Sequence, residues 1–145
     1  MGLDMYLTKH VFVGANYQHR QVIGSIKLKT GSEPIKIDLN KVSYIVEDAG
    51  YWRKANQIHK WFVDNVQDGE DDCKPYYVST EKLKELKALC KKVIKTKEWQ
   101  LLPPQEGFFF GGNEADEYYY ETLKETVKIL GAIDKDAEYY YQSSW

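Results

Sequence analysis

Arginine is nearly missing from this chain: Arg20 and Arg53 stand against eighteen lysines. The planar guanidinium is the group that grips phosphate and guanine through paired hydrogen bonds. Its scarcity, with a net charge of −2, argues against a nucleic-acid reader. Cysteine is equally sparse. Cys73 and Cys90 make no disulfide framework, and with His10, His19 and His59 they show no paired spacing of the kind a structural zinc site uses. A reducing cytoplasm is therefore expected, with no metal and no cofactor. Also absent is any apolar run near the roughly 20 residues that span a bilayer, so no membrane partner is expected. The start, Met1-Gly2-Leu3-Asp4, carries an acid and leads into no basic region or long apolar stretch, which speaks against a secretory signal. Tyr6 stands where a myristoylation motif needs Ser or Thr.

What is present is ordinary globular material. The 145 residues, 43% hydrophobic and 29% charged, fit one domain spanning the whole chain. The first half reads as strand: Asp4 to Val13, Val22 to Thr30, Ile35 to Leu39 and Val42 to Val46. Between the second and third runs, Gly31-Ser32-Glu33-Pro34 signals a hairpin with a four-residue loop. Gly14 to Arg20 is polar and reads as loop. Pro75 to Val78 and Glu138 to Ser143 suggest two more short strands.

The second half reads as helix. From Gly50 to Val66, with Asp48 as N-cap, the residues Trp52, Ala55, Ile58, His59, Phe62, Val63 and Val66 fall on one face. Arg53, Lys54, Lys60 and Trp61 fall on the other. A second helix runs from about Thr80 to Lys97, capped by Ser79 or Thr80, with Leu83, Leu86, Leu89, Cys90, Val93 and Ile94 inward. A third begins after Asn113, with Asp116 three residues on in a capping-box-like arrangement. Its inward side is Ala115, Tyr119, Leu123, Val127 and Leu130, and Gly131 ends it. Strands first, helices later and strands returning predict an α+β fold: an antiparallel sheet packed against about three helices.

Several groups are candidates for function. A large aromatic on a polar helix face needs a cover or a partner, so Trp61 with Arg53, Lys54 and Lys60 is the candidate partner- or ligand-binding set. The other reading is that a neighbouring element covers Trp61. Lys84, Lys87, Lys91 and Lys95 form a basic stripe at three- and four-residue steps, a surface for an acidic partner or simply a solvated face. His59 lies centrally on the apolar face, where a core histidine is the commoner meaning than a base or ligand. Phe108-Phe109-Phe110-Gly111-Gly112 precedes the third helix without a phosphate-loop pattern. The acidic stretch Asp68-Gly69-Glu70-Asp71-Asp72 lacks the ligand order of a calcium loop and reads as solvated. No nucleophile elbow or zinc-protease helix is recognisable, so no catalytic residue is assigned.

Six segments carry a resemblance. They are Met-Gly-Leu-Asp-Met-Tyr-Leu at 1–7, Gly-Tyr-Trp-Arg-Lys-Ala-Asn at 50–56, Ile-His-Lys-Trp-Phe-Val at 58–63, Asp-Asp-Cys at 71–73, Gly-Phe-Phe-Phe-Gly-Gly at 107–112 and Tyr-Tyr-Gln-Ser-Ser-Trp at 140–145. Together the chain resembles a family of small proteins encoded by bacteriophages and prophages, outside roughly residues 10–40, where it carries a possible hairpin insertion of its own. The resemblance implies a provenance, a mobile element in a bacterial cytoplasm, and no chemistry. The resulting expectation is a non-enzymatic binding protein that engages a host protein, such as a defence component. The alternative is a small-ligand protein holding a nucleotide between helix and sheet, with Arg53 or Lys54 at the phosphate. An enzyme built on His59 ranks below both.

Overall fold

In chain order the elements are β1 (Asp4–Phe12), β2 (Lys27–Thr30), β3 (Glu33–Lys36), β4 (Tyr44–Arg53), α1 (Asn56–Asn65), β5 (Tyr76–Val78), α2 (Thr80–Thr96), α3 (Glu117–Leu130) and β6 (Glu138–Ser144). They come from a computed structural model that describes residues 2–31, 33–107, 112 and 114–145. Strand β1 shows the rule that organises them. Met5 and Leu7 are buried while Tyr6 between them is exposed, the two-residue period of a half-covered strand. β1 pairs antiparallel with β4 and β6, and β6 with β5, which gives a four-stranded sheet in the order β4-β1-β6-β5.

The inward side chains Met5, Leu7, Trp52, Val78, Tyr139 and Tyr141 join apolar residues of all three helices in one core cluster. The helices therefore cover one sheet face and leave the other open, an α+β arrangement. Caps match the local chemistry. Ser79 accepts from Lys82 N–H at 3.2 Å to start α2, and Asp116 accepts from Tyr119 N–H at 2.9 Å to start α3. The cap of α3 is thus Asp116 itself; Asn113 lies outside the described residues.

Residues 50–53 correct the sequence reading. They extend β4 and do not begin the helix, which starts at Asn56. Asp48 is no N-cap; it lies within β4, opposite Thr8. Trp52 misled because a helical period from Ala55 and a strand period from Tyr51 both turn it inward. The break between the elements is Lys54, whose φ of 54° leaves both regular conformations. The hairpin β2–β3 is real but tighter than expected: Thr30 pairs with Glu33, so Glu33 and Pro34 are strand and the loop has two residues. This hairpin forms its own two-stranded sheet.

Sheet and helix layer approach closely at Gly50. A Cβ built there would stand 2.6 Å from Ile129 Cγ2 on α3, well inside contact distance. Gly50→Ala is expected to lower the urea unfolding midpoint, with a loss of about 1–3 kcal/mol typical of overpacking. Adding Ile129→Ala should recover part of that loss, and a loss equal in the presence of either residue would remove the clash as its cause.

Candidate functional site

Trp61 is covered. It is 7% exposed and belongs to the core cluster, edge-on to Phe62 at 5.3 Å between ring centres. It lines a cleft of about 130 Å³ with Leu101, Leu102 and Pro103, so the segment after α2 is what shields it. Lys60, on the same turn, is half-buried and bonds Asp64 at 2.6 Å. The other two members of the expected set sit elsewhere, because the chain before Asn56 is strand and turn. Lys54 lines a cleft of about 240 Å³ with Asn56, Gln57 and Tyr119. Arg53 is exposed at the end of β4 and lines a larger cleft, about 570 Å³, with Tyr51, Trp52, Tyr118, Lys128 and Ile129. The four residues do not form one site.

His59 is sealed in the core at 0% exposure. Its Nδ1 stands 2.7 Å from Tyr141 Oη and its Nε2 3.0 Å from Asp71 Oδ2. The carboxylate only accepts, so Nε2 donates to it, and in the neutral ring Nδ1 accepts from the phenol. Trp145 Nε1–H donates to the other Asp71 oxygen at 3.0 Å. A carboxylate–imidazole–hydroxyl chain is the geometry that activates nucleophiles, but here burial pushes the phenol well above its ordinary value and both rings are closed to solvent. The chain is a structural tie. It revises the acidic stretch as well, because two of its carboxylates have work inside the fold. Besides Asp71, Asp72 takes Lys74 at 2.7 Å and the Tyr76 hydroxyl at 3.0 Å, and the Lys74 contact holds its carboxyl below the ordinary range.

The basic stripe is real in placement. Lys84, Lys91 and Lys95 are exposed along α2 and Lys87 is half-buried, and none of the four forms an ion pair among the described residues. None lines a cleft described here. Residues 108–111 of the aromatic–glycine stretch lie outside the described residues. No helix among the described residues is long and apolar enough to cross a membrane.

The surface that sequence reasoning missed is the open face of the sheet. Register places Tyr6, Tyr51 and Gln142 in one row across it, Thr8, Asp48, Tyr140 and Tyr77 in the next, and Phe12 with Tyr44 at the far end. The rings touch in chains: Tyr6 with Tyr51 at 5.5 Å, Tyr77 with Tyr140 at 5.9 Å, His10 with Tyr140 at 4.5 Å and Phe12 with Tyr44 at 5.5 Å. Tyr6 is 40%, Tyr44 47%, Tyr51 51% and Tyr77 58% exposed. The signal was available in the strict alternation of Met5-Tyr6-Leu7 and Tyr139-Tyr140-Tyr141, whose odd members go to the core. Against known protein families, curated proteins and solved structures, the chain finds no match.

Trp61→Ala should cost about 3–5 kcal/mol of stability, as for other buried aromatics, measured by urea unfolding. A variant as stable as the wild type would return Trp61 to the surface. Tyr141→Phe, which removes the hydroxyl donated to His59, should cost about 1–3 kcal/mol; an unchanged midpoint would show that the buried chain adds nothing to folding.

Proposed function

We propose that this is a non-catalytic binding protein of phage or prophage origin that engages a host protein through the open face of its four-stranded sheet. One observation carries the reading: a contiguous field of tyrosines stands on a sheet face with no helix over it among the described residues. Natural sheets with one solvated face usually make that face polar. Here the outward positions hold rings that combine a large apolar area with a hydroxyl at the tip, the composition of protein-recognition surfaces. Exposure of this kind marks contact sites in proteins that otherwise stay soluble.

The charges on that face support a protein and not a polyanion. By register, Asp4, Asp48 and Glu138 share it with Arg53 and His10, and no lysine stands in the rows between them. A nucleic acid stacking on the tyrosines would meet carboxylates where its phosphates run. The resemblance to phage and prophage proteins supports a bacterial host protein as the target, and a component of host defence fits the usual work of small accessory proteins.

The test is affinity capture from host lysate by the full chain, compared with Tyr6→Ser/Tyr77→Ser and Lys84→Glu/Lys91→Glu. Exposed tyrosines at the centre of an interface are worth about 2 kcal/mol each, so the double tyrosine variant should lose at least tenfold of the specifically captured protein, while the lysine variant should keep it. Equal recovery with the tyrosine variant removes the open face from the interface.

A further inference from the structure

Strand β4 ends the sheet. Among the described residues it pairs with β1 and with nothing on its other side. Which of its backbone groups face outward follows from two bonds: Lys54 N–H donates to Leu3 O at 2.8 Å, and Val13 N–H donates to Ser43 O at 2.9 Å. Antiparallel pairs alternate between bonded and non-bonded, so counting inward from each end through the register leaves Tyr44, Val46, Asp48, Tyr51 and Arg53 with N–H and C=O aimed at the open side. One of these is already taken: the Tyr118 hydroxyl of α3 donates to Arg53 O. That bond confirms the direction of the row and shows α3 lying alongside the edge.

Beside the edge runs a groove. The cleft of about 570 Å³ that Arg53 lines, and a second of about 270 Å³ lined by Lys9, Glu47 and Asp48, share Ala49, Ile129 and Ala132. They are two stretches of one trough between β4 and α3. From Glu47 to Arg53 it extends about 20 Å at ~3.3 Å per residue. Its floor is apolar and its ends differ in charge. Arg53 and Lys128 stand at one end beside Glu125, while Glu47 and Asp48 stand at the other, where Lys9 is shared with Asp134.

We propose that this edge and trough bind an extended segment of a partner polypeptide as a fifth strand. Its backbone would pair with the outward groups of Val46, Asp48 and Tyr51, and alternate side chains would descend onto Ile129 and Ala132. The trough's ends select an acidic residue near Arg53 and Lys128 and a basic one near Glu47 and Asp48. A compact ligand uses neither the row of backbone groups nor the length. A second copy of this chain, paired over the full strand, would set Asp48 against Ala49 at the two-fold axis and gather the Glu47 and Asp48 carboxylates of both copies there. The site meets the tyrosine field only along β4, at Asp48, Tyr51 and Arg53, and stands or falls separately from Tyr6 and Tyr77 on the strands beyond.

The test is selection of linear decapeptides from a random library on the immobilised full chain, followed by residue-resolved amide exchange with an enriched peptide. Enriched sequences should alternate apolar residues and carry opposite charges at their ends. The amides of Val46, Asp48 and Tyr51 should then exchange at least tenfold more slowly. Ala132→Trp, which fills the trough from an exposed position, should weaken binding at least tenfold, and Tyr77→Ser should leave it unchanged. Four results each overturn the proposal: no enrichment, binding without protection of those amides, undiminished binding by Ala132→Trp, or displacement of the peptide by millimolar ATP. Sedimentation of the free chain as a dimer that Ala132→Trp dissociates would give the edge to a second copy instead.

Discussion

Tyr141 is the point on which the two layers depend. Its ring lies flat on Phe62, with centres 3.8 Å apart and planes within 6°, and its hydroxyl holds His59 one turn earlier on the same helix. One side chain of an interior strand thus fixes both the height and the rotation of α1 against the sheet. Through His59 the constraint passes to Asp71, and from Asp71 to Trp145 at the end of β6. The acidic loop after α1 and the last residue of the chain are therefore tied to one phenol. Buried polar groups in such a chain must all be satisfied or the whole becomes costly, which is why an aromatic core here carries a histidine without exposing it.

The opposite margin of the sheet is held by different means. Trp52 reaches inward from β4, and its indole N–H donates to Thr126 of α3 at 2.9 Å. Gln57 of α1 donates to Thr122 on the same helix at 2.5 Å. Buried hydroxyls on α3 serve as sockets for donors from strand and helix alike. With Ile129 seated against Gly50, these contacts keep α3 beside the margin of β4, and the trough between them is the space that this spacing leaves.

The elements were legible where one periodicity held without a competitor. Leu83, Leu86, Cys90 and Val93 could only be a helix, and Met5-Tyr6-Leu7 could only be a strand. Legibility failed at Gly50 to Arg53, where Trp52 satisfies both periods and the deciding fact is the ladder with Asp4 to Leu7, at the far end of a long sequence separation. The candidate site failed for the same reason. Arg53, Lys54, Lys60 and Trp61 share a face only if 50–66 is one helix. Once the first two belong to strand and turn, the set dissolves, and Trp61 finds its cover in Leu101 to Pro103. The tie from His59 to Asp71 and Tyr141 joins loop, helix and last strand; no local pattern encodes such a meeting.

The sheet's one-sidedness separates two demands that most small proteins must reconcile on the same residues. Alternate positions of each strand answer to the core, and the positions between them touch it hardly at all. Exchange of an outward tyrosine changes the character of the surface while the inward partner keeps the fold, so mutations there fall among those with small stability effects. A chain built in this way can vary its outer surface through many sequences without passing through an unfolded one.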